Sequence, residues 1–73
     1  METIIDLQIL GITPREAEVL FWLSKGKTNQ EIGVILGTAT NTIRNHVDHL
    51  LKKLGVENRL VAATIALKIL SGR

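Results

Sequence analysis

At 73 residues the chain makes one small domain, short of the length at which a single core is comfortable, so a partner subunit or a larger parent protein is expected. It has no cysteine, which excludes disulfide frameworks, thiolate metal sites and cysteine nucleophiles and fits a reducing compartment. A net charge of +2 and a pI near 9.4 permit nucleic-acid binding but are too mild to argue for it alone.

Residues 1–11 read as a lead-in segment or linker, or as a short helix left from a connection to another domain. Residues 12–73 read as the domain proper. Glu2 and Asp6 follow Met1 with no basic region between, so METIIDLQIL does not read as a signal peptide. The longest apolar stretch, Leu60 to Leu70, is broken by Thr64 and Lys68 and is too short to span a bilayer, so a cytoplasmic location is expected.

Thr13-Pro14-Arg15-Glu16 is a capping box with proline at the first helical position, which predicts a helix over 14–25 that stops at Gly26. A helical wheel puts Val19, Leu20 and Leu23 on one side and Phe21 nearly opposite. Phe21 is therefore expected to be exposed, a candidate contact for an effector domain or RNA polymerase. Thr28-Asn29-Gln30-Glu31 is a second capping box, opening a helix over 29–36 that carries Ile32, Ile35 and Leu36 inward and ends at Gly37. A third helix follows over 40–54. Two helices joined by a short turn containing glycine make the helix-turn-helix pattern, here near 27–46, in which the second of the pair enters the DNA major groove. Gly33 sits inside the first of the pair at a cost of about 1 kcal/mol relative to alanine, which suggests close approach of the crossing helices.

The third helix, TNTIRNHVDHLLKKL, sorts into two continuous stripes. Ile43, Val47, Leu50, Leu51 and Leu54 share one face, while Asn41, Arg44, Asn45, Asp48 and Lys52 run along the other. Arginine and asparagine can make the bidentate contacts that read guanine and adenine edges, although a merely solvated face carries the same residue types. Gly55 closes this helix and Asn58 caps a fourth over 58–70. The fourth helix is apolar around most of its circumference. With Leu60, Ala63, Leu67 and Leu70 turned inward, Val61, Ile65, Ala66 and Ile69 are left for a second copy of the chain. No strand-like alternation or repeat is present, and the fold class is all-α with four helices.

Catalytic chemistry finds no support. His46 and His49 lie three apart on the third helix, but no third ligand is evident, and contact with phosphate or packing suits them better than metal. There is no glycine-rich phosphate loop after a strand, no Ser-His-Asp arrangement and no paired carboxylates with a pocket, so neither an enzyme nor a cofactor is expected.

Taken together, ITPREAEVL, GKTNQEIGVIL, TIRNH and KKLGVENR, in this order and spacing, resemble the C-terminal DNA-binding domain of the LuxR/GerE/NarL family of bacterial transcription regulators, over Ile12 to about Ala63. The resemblance implies a four-helix output domain of a response regulator or quorum-sensing regulator. It would bind double-stranded DNA as a dimer, with the third helix in the major groove and the fourth at the subunit contact. It matches the family's base-reading places to Arg44, Asn45 and Asp48, beside Asn41. Its phosphate-contacting places match Thr28, Asn29, Thr40, Thr42, His46 and Lys53, with Lys52 alongside on the polar stripe. Several residues depart from the pattern: Ala39 stands where a serine commonly caps the third helix, Gly33 replaces the usual alanine, and Val61 replaces a Glu or Gln that completes a capping box. Asp48 repels phosphate yet can accept a hydrogen bond from cytosine N4, unless Arg44 or Lys52 tethers it along the helix. The competing reading is a protein-interaction module of the same fold that has lost DNA binding and pairs with related regulators.

Overall fold

The computed structural model describes residues 4–72, so the first three residues of the expected lead-in and Arg73 fall outside the described residues. A short 3-10 helix, Ile4–Leu10, precedes α1 (Pro14–Ser24), α2 (Asn29–Leu36), α3 (Thr40–Leu54) and α4 (Arg59–Ser71), and no strand occurs among the described residues. The architecture is all-α with four helices.

The helix boundaries follow from their punctuation. Both capping boxes form. The Glu16 and Glu31 N–H groups donate to Thr13 and Thr28 Oγ1, each at 3.1 Å, and the two carboxylates accept the Thr13 and Thr28 N–H groups at 2.8 Å. Gly37 ends α2 with φ +67°, a left-handed conformation that a side chain would strain. Asn58 caps α4 by accepting the Val61 N–H at 3.0 Å. The start of α3 differs: Ala39 occupies the cap position with no side-chain hydrogen bond, and the Thr38 hydroxyl donates to the Leu36 carbonyl instead.

The core is organised around α1. It buries Ala17, Val19, Leu20 and Leu23, and the 3-10 helix, α3 and α4 all pack against it, while α2 packs chiefly on α3. The segment read as a lead-in is part of this core, because Leu7 is fully buried and Leu10 packs beside it. Phe21 is correspondingly half-buried rather than exposed. It packs on the core with Trp22 edge-on at 5.1 Å and the Lys25 ammonium over its ring. A wheel drawn for one buried face fails here because α1 is covered from several directions.

Two further expectations are corrected. Ile35 is exposed, and α2 turns Ile32 and Gly33 inward. On α4 the buried residues are Ala62, Ala66 and Leu70, with Ile69 packed against the core, whereas Leu60 and Leu67 are 77% and 46% exposed. Ala66 and Ile69, expected at the dimer face, thus serve the monomer's core. The physical reason is size: with Ala62 and Ala66 on its inner face, α4 can lie close against α1, and Leu60 and Leu67 turn outward while Leu70 closes the core at the helix's end.

Replacing Leu7 by alanine removes a fully buried side chain, and we expect a loss of about 2 to 5 kcal/mol in a urea unfolding transition. A change within experimental error would mean that the 3-10 helix does not contribute to the folded domain in solution.

Candidate nucleic-acid interface

The roll of α3 is fixed by its apolar seam. Ile43, Val47 and Leu50 are buried and Leu51 and Leu54 half-buried, so Asn41, Arg44, Asn45, Asp48 and Lys52 all face solvent. Thr40, Thr42 and His49 are exposed beside them, and His46 is half-buried at the edge of the seam. Among the described residues the ion pairs are Arg15–Glu18 and Lys53–Glu16, so neither Arg44 nor Lys52 tethers Asp48. The polar stripe is thus a continuous outward surface whose hydrogen-bonding groups are uncommitted.

Both ends of α3 are fastened. At the amino end, the Thr38 N–H donates to the Gly33 carbonyl at 2.8 Å, and a Cβ on Gly33 would lie 2.5 Å from the Thr38 carbonyl oxygen. The α2–α3 turn therefore closes over a backbone position that only glycine fits without a shift of the main chain. At the carboxyl end, Lys53 Nζ donates to Glu16 Oε1 at 2.8 Å, across from the first turn of α1. Lys53, expected among the phosphate contacts, is therefore engaged inside the free domain.

Glu16 is a 4% exposed carboxylate that serves the α1 capping box and the tie to α3 together. Burial alone would raise its pKa, but hydrogen bonds from Lys53 and the Thr13 backbone, with the Lys53 charge, outweigh burial and hold it below the ordinary glutamate value. Glu31 is also lowered, chiefly by its hydrogen bond from the Thr28 backbone.

The phosphate candidates at the start of α2 are placed together. Thr28 Oγ1 is already used as the helix cap, which leaves its O–H free to donate, and Asn29 follows at the first helical position. Arg59, which the sequence reading passed over, meets them from α4. Its Nη1 donates to Asn29 Oδ1 at 2.8 Å and its Nη2 to the Lys27 carbonyl at 3.0 Å. A signal was present: a cation in the first turn opposes the helix dipole, so its placement calls for a compensating partner. Among the described residues no group of His, Cys, Asp and Glu side chains could hold a metal, and no helix is long and apolar enough to cross a membrane.

A short helix, a glycine-closed turn and a second helix with an anchored inner face and a free polar outer face define a helix-turn-helix domain. The family model described as bacterial regulatory proteins, luxR family, matches residues 10–66, and the chain belongs to that family. It is 54% identical over 44 residues, 60% of its length, to the transcriptional activator protein EchR of Dickeya chrysanthemi. It is 43% identical over 58 residues, 80% of its length, to the transcriptional activator protein YukR of Yersinia ruckeri, and 42% identical over 55 residues, 75% of its length, to the transcriptional activator protein PhzR of Pseudomonas fluorescens. The chain spans 18%, 25% and 22% of these three relatives. No solved structure matches it significantly.

The Glu16 tie has a definite acid signature. Because its folded pKa is depressed below the ordinary glutamate value, its stabilisation is complete at neutral pH and is lost as pH falls through the folded value, on the acid side of that ordinary value. We expect Glu16→Gln to cost about 1 to 2 kcal/mol at neutral pH, given that the lysine end is partly solvated. The difference from wild type should shrink in acid, as read from urea midpoints. A constant difference across that range would show that the carboxylate charge is not what stabilises the contact.

Proposed function

We propose that this domain binds duplex DNA sequence-specifically as a homodimer and regulates transcription, with α3 lying in the major groove. The observation that carries the reading is the uncommitted outward stripe of α3 over a fully anchored inner face. Arg44 and Asn45 offer forked donors to guanine and adenine edges, with Asn41 and Asp48 flanking them. Phosphates on either side of the groove would meet Thr40, Thr42, His46 and Lys52 around α3, and Thr28 and Asn29 at the start of α2. Lys53 joins them only by giving up part of its tie to Glu16.

The second copy would pair through α4. Its uncovered apolar surface consists of Leu60, Val61 and Leu67, with Ile65 half-buried beside them, and Leu60 also borders an open groove with Leu23, Lys27 and Arg59. Of the four residues first assigned to this contact, Val61 and Ile65 therefore remain in it. A two-fold axis there would set two α3 helices about 34 Å apart, one DNA turn, on one side of the duplex.

Selection of binding sites from a random duplex pool tests the base-reading assignment. Arg44→Ala should relax preference at one position of each half-site and weaken the selected site by about 1 to 3 kcal/mol. Lys52→Ala should weaken all sequences alike and flatten the dependence of log affinity on log salt by about one unit. An identical consensus for Arg44→Ala would remove Arg44 from base reading. Binding that does not weaken with salt would favour the protein-interaction module instead.

The dimer face is tested separately by a pair of variants. Leu67→Glu should fold normally and lose cooperative binding to a two-half-site duplex, whereas Ala66→Glu should unfold the monomer, since Ala66 is fully buried. Unchanged cooperativity in Leu67→Glu would move the subunit contact away from this face of α4.

A further inference from the structure

Arg59 binds no DNA-facing element of α3 and opens the helix proposed for dimerisation, yet both arms of its guanidinium reach the start of α2. Its fork spans the Lys27 carbonyl just before the α2 cap and the Asn29 side chain just after it. A guanidinium has donors only, so it compels Asn29 to present the oxygen end of its amide inward. The Nδ2 end then has no partner among the described residues. A phosphate oxygen is an acceptor only, and the end of Asn29 left free is the one that can donate to it. Without Arg59, the amide could turn either end outward, and one of the two would repel the backbone of DNA.

We propose that Arg59 is a positioning residue for DNA binding, which fixes the polarity of the Asn29 amide so that its NH2 group faces phosphate. The inference rests on the DNA-binding reading above. It assigns Arg59 no phosphate of its own, and it joins the helix proposed for pairing to the one whose amino end meets the DNA backbone.

The test uses a random duplex pool, since a phosphate contact is independent of sequence, titrated at about 50 and about 200 mM salt. Four variants accompany the wild type: Arg59→Met, Asn29→Ala, the double variant and Asn29→Asp. Arg59→Met should lose about tenfold in affinity in the wild-type background and no more than about twofold in the Asn29→Ala background, because its effect acts through that amide. Its salt slope should match the wild type. Asn29→Asp keeps the pairing with Arg59 as an ion pair but presents an oxyanion outward. It should therefore melt no lower than the wild type and bind more weakly than Asn29→Ala. This variant decides the matter if Arg59→Met does not fold.

Equal losses from Arg59→Met in both backgrounds, or a slope lowered by about one, would make Arg59 a phosphate contact itself and overturn the proposal. So would a lowered melting temperature with unchanged affinity of the folded protein, the mark of a purely structural tie, or an Asn29→Asp variant that binds as well as Asn29→Ala. A wild-type protein with no salt-dependent binding would instead remove the DNA-binding reading, and this proposal with it, before any variant is compared.

Discussion

The burial of Ile43, Val47 and Leu50 decides how everything else on α3 is presented. A helix can roll about its axis only by exchanging what it buries, and a roll of one residue's angle would carry Arg44 or Asp48 toward the core. An unpaired buried charge is far more costly than the apolar contacts such a roll could regain. The stripe of recognition candidates is therefore held outward by the seam behind it. The orientation of the polar face is a packing result, and it needs no polar interaction of its own, consistent with side chains that remain uncommitted within the domain.

Packing fixes the roll of α3, but its position along and across the molecule depends on its two ends. At the amino end the usual side-chain cap is missing, an omission that costs about 1 kcal/mol in an ordinary helix. No group takes over that cap, but the Thr38 N–H to Gly33 carbonyl bond that closes α2 holds the turn before α3 by a backbone constraint. Gly33 and the uncapped Ala39 thus meet within one turn. At the carboxyl end the tie is electrostatic, with Glu16 shared between the cap of α1 and Lys53. One end is held by shape and the other by charge, and only the second weakens in acid.

How much of this could be read from the chain depends on how far each signal is local. Thr13, Thr28, Gly37, Gly55 and Asn58 act on their own neighbours, and the helices they delimit agree with the structure to within a residue or so. The phase of α3 was legible because its polar and apolar residues sort cleanly. That of α4 was not, because a nearly uniform apolar helix has no phase until it meets a neighbour. There, close approach to α1 selected Ala62 and Ala66, with Leu70, rather than Leu60 and Leu67. The tie between Lys53 and Glu16 spans 37 residues and the one between Arg59 and Asn29 spans 30, separations at which no periodicity carries information. Leu7 was hidden for a different reason: the segment around it is short, and it lies before the residues that match the family.

The division of α4 explains how so small a domain can fold and still keep apolar surface to spare. By covering α1 with Ala62 and Ala66, α4 gains close contact there without using Leu60 or Leu67. The 3-10 helix, which packs on both α1 and α4, adds Leu7 to the same core as a fully buried side chain. What remains outward, Leu60, Val61 and Leu67, is too little for a stable dimer by itself, since lasting interfaces bury far more than a few side chains provide. Pairing through this surface would thus be weak in isolation and would gain strength where DNA holds two copies in register. Arg59, at the head of the same helix, ties that surface to the amino end of α2. A subunit contact made on α4 would then act directly on the element proposed to meet the phosphate backbone.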